Sequence, residues 1–229
     1  NQNFAAGQTS LRFNTTGSSN VAVGHETLYS NTTASNNTSV GYKAGYSNTT
    51  GATSVAVGSL AAQTNVTGNN ITAVGYKALN LTTSNNNTAL GMQAGRDTSS
   101  GTDNVFVGKN ASVLNSTGSS LVAIGVDALF SNTTASNNTA VGYQAGYANT
   151  VGERNTAIGR LASAGTTTGG DNSTLGSAAL TTNTTGGNNV AIGASALRFN
   201  TTASNNTAVG YEAGYSNTTG TGNSALGGE

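Results

Sequence analysis

Short stretches of alternating residues recur along the whole chain, and a glycine closes each one. The first clear examples are V-A-V-G at 21–24, T-S-V-G at 38–41, V-A-V-G at 55–58 and T-A-V-G at 72–75. A β-branched or apolar side chain stands on each side of a small central residue. This alternation predicts a short β-strand with one buried face. We predict that the residue before each glycine lies on that buried face.

The closing glycines mark a repeat that runs from one end of the chain to the other. Every spacing between them is 17 residues except the 16 residues from Gly75 to Gly91. The full set is Gly7, Gly24, Gly41, Gly58, Gly75, Gly91, Gly108, Gly125, Gly142, Gly159, Gly176, Gly193, Gly210 and Gly227. Residues 1–229 therefore read as a single repeat array. The strict register of the glycines predicts a backbone turn that needs positive φ or close approach.

A 17-residue unit is too short for a helix pair or a propeller blade. It has room for two short strands and two turns, which predicts one coil of a β-solenoid. We therefore expect an all-β parallel β-solenoid or β-roll of about thirteen coils, in which equivalent residues stack. The expected buried core row is Val23, Val40, Val57, Val74, Leu90, Val107, Ile124, Val141, Ile158, Leu175, Ile192 and Val209. Asn20, Asn37 and other asparagines before the strands are expected to form ladders between coils.

The composition excludes several classes of protein. The 229 residues include 8 basic and 8 acidic side chains and no cysteine, so thiolate metal sites and disulfides are excluded. Without a basic excess, the electrostatic footprint of nucleic-acid binding is missing. No apolar run is long enough to span a membrane, so we expect no direct membrane insertion of this segment. A segment that begins and ends inside a repeat also suggests a piece of a longer fibre.

Few side chains suggest chemistry. His25 has no partner that repeats, and Asp97, Asp103, Glu153 and Asp171 do not recur coil after coil as a calcium-binding repeat requires. We expect no catalytic residue, no metal and no cofactor, and thus no enzyme. N-T-T triplets begin at Asn14, Asn31, Asn48, Asn132, Asn200 and Asn217, and are expected to form turns and ladders more than glycosylation sites. An ice-binding surface is not expected, because adjacent threonines in a strand would alternate between faces.

Tyrosines recur at matching places in several coils, and they are candidates for ligand contact or for packing at a seam between subunits. These tyrosines are Tyr42, Tyr46, Tyr76, Tyr143, Tyr147, Tyr211 and Tyr215.

The runs N-T-A-V-G-Y-Q-A-G-Y at 138–147, N-T-A-V-G-Y-E-A-G-Y at 206–215 and N-S-A-L-G at 223–227 resemble the head repeats of trimeric autotransporter adhesins. That resemblance implies a left-handed parallel β-roll shared by three chains. The repeats are also similar to those of bacterial surface proteins and phage-like tail fibres. The repeat is longer here, and the extra residues fall in the S-N-T-T-G-S-N-N type of turn.

Each coil offers little apolar volume to offset the entropy of ordering its backbone. A homotrimer of identical chains with a shared core is therefore expected, although a wider self-sufficient solenoid stays open. The expected function is a non-enzymatic extracellular or cell-surface fibre segment, an adhesin head, stalk or spacer, with surface glycans or matrix proteins as possible ligands. A phage-like tail-fibre shaft on a virion and a subunit of an end-to-end extracellular filament are the alternatives.

The short coil from Gly75 to Gly91 carries its own prediction. The missing residue should be absorbed by a tighter loop near 82–86, because turns accept length changes more readily than strands. Thr88 and Leu90 should then stay in line with the equivalent residues of the coils on both sides.

Overall fold

The structure, a computed structural model, describes residues 2–228. Over these residues the chain is an all-β parallel β-solenoid of about 13 turns of ~17 residues, which confirms the predicted fold class. Each strand is three residues long, and each turn carries one strand where two were expected. The strands are β1 (Phe4–Ala6), β2 (Val21–Val23), β3 (Thr38–Val40), β4 (Val55–Val57), β5 (Thr72–Val74), β6 (Thr88–Leu90), β7 (Val105–Val107), β8 (Val122–Ile124), β9 (Thr139–Val141), β10 (Thr156–Ile158), β11 (Ser173–Leu175), β12 (Val190–Ile192), β13 (Thr207–Val209) and β14 (Ser224–Leu226).

The chain divides into two compact units, Asn1–Thr117 and Gly118–Glu229. In the first unit β1 to β7 follow one another in parallel pairs, and β8 to β14 do the same in the second. The registers join residues one repeat apart, as in the pair Val23 and Val40. The short coil keeps this order, with Leu90 opposite Val74 on one side and Val107 on the other. The prediction for the short coil is therefore confirmed in its strands.

The predicted core row stacks in register, but its burial was predicted wrongly. The set Val23, Val40, Val57, Val74, Leu90, Val107, Ile124, Val141, Ile158, Leu175, Ile192 and Val209 faces outward and is half-buried or exposed. The central strand residue is the one that points inward, and Ala22, Ala73 and Ala140 have no exposed surface. Alternation shows which side chains share a face, whereas the room inside the coil decides which face is buried. That room is small because several turn residues also point inward.

Positive φ angles explain why each coil has one strand only. In the coil of Gly24, Glu26 and Leu28 have φ of 54° and 47°, and Asn36 before the next strand has φ of 62°. Equivalent residues repeat these angles in the other coils. Left-handed backbone interrupts an extended segment, so the rest of the coil is a series of turns. Asparagine and aspartate tolerate this conformation best, which accounts for their frequency at the Asn36 position.

The repeat glycine is required for two reasons. Gly142 has φ of +134°, and a Cβ placed there would lie 2.6 Å from the carbonyl oxygen of Gly159 in the next coil. Both the dihedral angle and the contact exclude a side chain. The prediction that these glycines need positive φ or close approach is confirmed.

The interior of the solenoid combines small residues with leucines that are present in some of the coils. The fourth residue after each repeat glycine forms a column that we call the leucine–glycine column, in which Leu28 is followed one coil later by Gly45. Leu28 is buried, and its Cδ2 lies 2.9 Å from the place of a Cβ on Gly45. A leucine precedes each glycine of this column, and its side chain fills the space that the glycine leaves. This packing joins neighbouring coils through apolar contact as well as hydrogen bonds.

Asparagines form the predicted ladders inside the coils. An asparagine precedes most strands, and these residues make the strand asparagine ladder, in which Asn172 Oδ1 accepts the backbone N–H of Asn189 at 3.0 Å. The Asn172 side-chain amide also donates to the carbonyl of Gly186 at 3.0 Å, across the same coil. One buried side chain thus ties two coils together and closes its own coil. Buried amides with both ends bonded avoid the cost of desolvation.

The short coil absorbs its missing residue in the turn between Thr82 and Asn87. Ser84 takes the place of the usual glycine or alanine, and its hydroxyl donates to the carbonyl of Gly101 at 2.6 Å. Asn87 then donates to Ser84 Oγ at 3.0 Å and to the same carbonyl at 2.8 Å. A serine hydroxyl thus replaces contacts that an asparagine amide makes elsewhere.

Candidate functional surfaces

The first and third residues of the strands form an apolar face, which we call the outer sheet face. In the unit Asn1–Thr117 it presents Val40, Val55 and Val105 at 36–37% exposure and Leu90 at 49%. In the unit Gly118–Glu229 it presents Ile124, Ile158 and Ile192 at 37–38% and Leu175 at 49%. Threonines such as Thr72 and Thr139 extend the same rows with their methyl groups. Contiguous rows of exposed apolar side chains are typical of interaction surfaces, so the outer sheet face is a candidate interface.

A polar face is built from the N-T-T turns. Thr32 Oγ1 donates to the carbonyl of Thr49 at 3.1 Å, and Thr201 Oγ1 does the same to Thr218 at 3.0 Å. The next residue in each turn, such as Thr33, is exposed. Because this segment is not a strand, adjacent threonines both face outward, contrary to our expectation. The surface therefore presents columns of hydroxyl and methyl groups that repeat once per coil.

The predicted tyrosines occupy two columns. Tyr42, Tyr76, Tyr143 and Tyr211 follow the repeat glycines and are exposed, whereas Tyr46, Tyr147 and Tyr215 stand four residues later and are half-buried. In the second column, rings contact aromatic rings one coil earlier: Tyr46 stacks on Tyr29 at 5.0 Å, Tyr147 on Phe130 at 5.1 Å, and Tyr215 meets Phe199 edge-on at 4.8 Å. These contacts cover ring faces that a sugar would need. The exposed column is the better candidate for ligand contact.

Lys43 lies between the two tyrosine columns. Its ammonium is 5.4 Å from the ring centroid of Tyr42 and 5.2 Å from that of Tyr46. It also pairs with Glu26 one coil earlier at 3.2 Å. The hydrogen bond that Lys43 donates to the Glu26 carboxylate raises the pKa of Lys43 above its ordinary value. His25 stacks on Tyr42 with ring centroids 5.7 Å apart, so this histidine is part of the same surface cluster.

The asparagines of the N-T-T triplets point inward. Asn31, Asn132 and Asn200 are fully buried and Asn48 is nearly so, whereas Asn14 and Asn217 are partly buried. Asn31 Nδ2, the atom that would carry a glycan, donates to Asn14 Oδ1 at 2.8 Å and to the Ala34 carbonyl at 3.1 Å. We call this the turn asparagine ladder. It leaves no space for a glycan on the buried asparagines, in agreement with the expected turn and ladder role.

The acidic residues lie on the surface in separate settings. Asp97 pairs with Arg96, and Asp103 accepts hydrogen bonds from Thr102 and Asn86 that lower the pKa of its carboxyl. Asp171 receives two hydrogen bonds from Arg154 at 2.7 and 2.9 Å, which likewise lower the pKa of the carboxyl. Arg154 also contacts Glu153. In residues 2–228, no three acidic or histidine side chains come together in a group that could hold a metal ion.

The leucine–glycine column was not among the predicted features. The order of this column was visible in the sequence as Leu28 before Gly45, Leu79 before Gly95, Leu129 before Gly146 and Leu197 before Gly214.

Comparison of the chain with protein-family models, with curated proteins and with solved structures finds no match. The family resemblance noted above therefore rests on the repeat motif and on the parallel solenoid. Among the described residues, no helix is long and apolar enough to cross a membrane.

Proposed function

We propose that the chain is a non-enzymatic segment of an extracellular fibre, built from identical chains that pack through their outer sheet faces. The observation that supports this proposal is the position of the apolar rows. Valine, isoleucine and leucine share the outer sheet face with threonine, while alanine holds most of the inward strand positions. Leu28 and equivalent leucines are buried in the turns, but the apolar strand side chains of the outer sheet face keep contact with water in the single chain, so covering them with a second copy would be favourable.

The proposed assembly is a homotrimer in which three outer sheet faces enclose a shared core. The polar threonine columns and the exposed tyrosines then remain on the outside of the fibre. In this arrangement the segment acts as an adhesin head, stalk or spacer, and surface glycans or matrix proteins are its ligands. The repeat architecture supports a spacer role, since each coil contacts only its neighbours and coils can be added or removed.

The oligomeric state tests this proposal. We expect light scattering to give the mass of three chains for the wild type. Leu90→Glu places a charge on the outer sheet face, where the side chain is 49% exposed in the single chain. It should therefore shift the mass toward that of one chain without loss of the strand signal in circular dichroism. Thr50→Glu, on the exposed polar face, is the matched control and should stay trimeric.

A wild-type chain that stays monomeric at all concentrations would contradict the proposal and favour a self-sufficient solenoid. Filaments in electron microscopy would favour end-to-end assembly instead. If the trimer holds, removal of whole coils distinguishes a spacer from an adhesin. A spacer becomes shorter and binds as before, whereas an adhesin loses binding to a glycan or matrix array when its contact coils are removed.

A further inference from the structure

Tyr29 and Tyr46 form a stacked pair between neighbouring coils. Their ring centroids are 5.0 Å apart and their planes differ by 6°. Backbone hydrogen bonds beside the rings fix the coils, with Ser30 N–H donating to the Tyr46 carbonyl at 3.0 Å. Both rings are half-buried, so a small oxidant can reach them.

We propose that Tyr29 and Tyr46 are a site of oxidative cross-linking, where a peroxide-driven one-electron oxidant joins the two rings as dityrosine. Each phenol loses one electron and its phenolic proton and becomes a phenoxyl radical. The radicals form one carbon–carbon bond between ring carbons ortho to the oxygens. The two ortho hydrogens return to the phenol oxygens, with help from solvent, as the rings regain aromaticity. Hydrogen peroxide accepts the two electrons and two protons and becomes two molecules of water.

Proximity favours this bond over coupling between different chains. Groups held in contact react as if at very high local concentration, whereas exposed tyrosines such as Tyr76 and Tyr143 must meet another molecule first. The ring torsion of tyrosine is broad, so the stacked rings can turn and bring ortho carbons together. The bond would tie two successive coils covalently and would oppose unwinding of the solenoid at that place. The proposal rests on a contact within one chain and does not depend on the proposed assembly.

The chain offers its own matched controls. Phe130 and Tyr147 form an equivalent stack at 5.1 Å with planes 17° apart, but phenylalanine has no phenol to oxidise. Phe130→Tyr should therefore create a second cross-linking site. Tyr46→Phe should keep the stack and abolish the first site, because a single hydroxyl group is removed from each chain.

The experiment treats dilute, intact protein with a haem peroxidase and hydrogen peroxide, and in parallel with a small photochemical one-electron oxidant. Digestion at Lys43 separates the peptide that holds Tyr29 from the one that holds Tyr46. We expect mass spectrometry to find these peptides joined, with loss of two hydrogen atoms, and fragmentation to place the link on Tyr29 and Tyr46. The Tyr46→Phe protein should lack this product and its dityrosine fluorescence.

The proposal is overturned if both oxidants couple exposed tyrosines between chains but leave Tyr29 and Tyr46 unlinked. It is also overturned if Tyr46→Phe retains the same intrachain fluorescence as the wild type. A link in the wild type and a second link in Phe130→Tyr support it. The linked protein should then unfold more slowly in denaturant than the untreated protein.

Discussion

Leu129 and Gly146 stand one coil apart in the leucine–glycine column, and the leucine occupies the space where the glycine has no side chain. Leu129 Cδ2 lies 2.9 Å from the position that a Cβ on Gly146 would take. Gly146 has φ of +60°, yet Ala62 occupies the same column with φ of 46°. The backbone of this column therefore accepts alanine, and the contact with leucine is what selects glycine at residue 146.

Gly146→Ala should destabilise the protein by about 1–3 kcal/mol, the usual cost of overpacking a tight core. In a chain that already carries Leu129→Ala, the same Gly146→Ala change should cost less, because the two residues share one space and their effects are not additive. Denaturant unfolding of the single and double variants measures the coupling.

Gly222 provides the control for backbone strain. It has φ of +69°, and nothing lies within 4 Å of a Cβ placed there. Gly222→Ala should therefore cost about 1–2 kcal/mol, the penalty of left-handed backbone alone. Equal losses in Gly146→Ala and Gly222→Ala would show that the leucine contact contributes nothing.

The sequence predicts the coil well because the constraint that sets it is local and repeated. The repeat glycines, the strand asparagines and the register of Val74, Leu90 and Val107 all follow from spacing, and the structure agrees. The direction of the strand faces does not follow from spacing. It depends on how many turn side chains enter the coil, and residues such as Asn31 and Ala44 leave room only for alanine in most strands.

The prediction of a second strand in each coil was wrong because the turn segments share one property with strands, their hydrogen bonding between coils. The N-T-T turns bond from coil to coil through Thr32 N–H and the Thr49 carbonyl at 3.1 Å, as strands do. Positive φ angles at residues such as Leu28 interrupt the extended backbone, and β-propensity alone does not reveal them. The candidate surfaces were likewise only partly predictable, since the tyrosine columns follow from spacing but their stacking partners do not.

Asn172→Asp should destabilise the protein strongly at neutral pH. The side-chain amide donates to the Gly186 carbonyl at 3.0 Å, and a carboxylate would place its charge against that oxygen inside the coil. The cost should be about 3–5 kcal/mol, because the carboxylate would also face Asn155 Oδ1 and has no counter-charge, although it keeps the hydrogen bonds from Asn189. Burial raises the pKa of such a carboxyl above its unfolded value. The variant should therefore approach wild-type stability below the unfolded pKa of aspartate and lose stability as the pH rises through the folded pKa.

Asn188→Asp is the matched control for this pH profile. Asn188 is exposed with φ of 56°, and Asp103 and Asp171 stand at the same place in their coils. Its stability should follow that of the wild type from acidic to neutral pH in thermal unfolding. A flat profile for Asn172→Asp would mean that the carboxylate reaches water and that the coil opens there.

Phe106 and Val107 test which face of the strand is inside. Phe106 is fully buried beside Gly95, where a Cβ would lie 2.4 Å from the phenylalanine ring. Phe106→Ala should cost about 3–5 kcal/mol because it leaves a cavity. Val107→Ala should cost far less in a dissociated chain, and its effect should grow with protein concentration if the outer sheet face binds a second copy. Denaturant unfolding at two concentrations separates these cases, and a larger loss for Val107→Ala in the dilute chain would contradict the assigned faces.

The short coil shows how a turn loses a residue, and the same change should be tolerated elsewhere. In the 183–186 turn, N-T-T-G closes through Asn183 Nδ2 and the Gly186 carbonyl at 2.8 Å. Replacement of these four residues by T-T-S, the sequence at 82–84, shortens the turn by one residue. It also replaces the hydrogen bond of the Asn183 side-chain amide by hydrogen bonds of threonine and serine hydroxyls. Because the strands on both sides keep their pairing in the short coil, the strand signal in circular dichroism should be unchanged. We expect the free energy of unfolding to fall by about 1–2 kcal/mol, the value of one or two buried hydrogen bonds.

Deletion of Ala191, which removes one residue from the centre of a strand, is the control. This deletion should abolish cooperative thermal unfolding, because a one-residue slip turns the side chains of that strand to the other face of the sheet. Equal losses in the two variants would show that the turn is as strict as the strand.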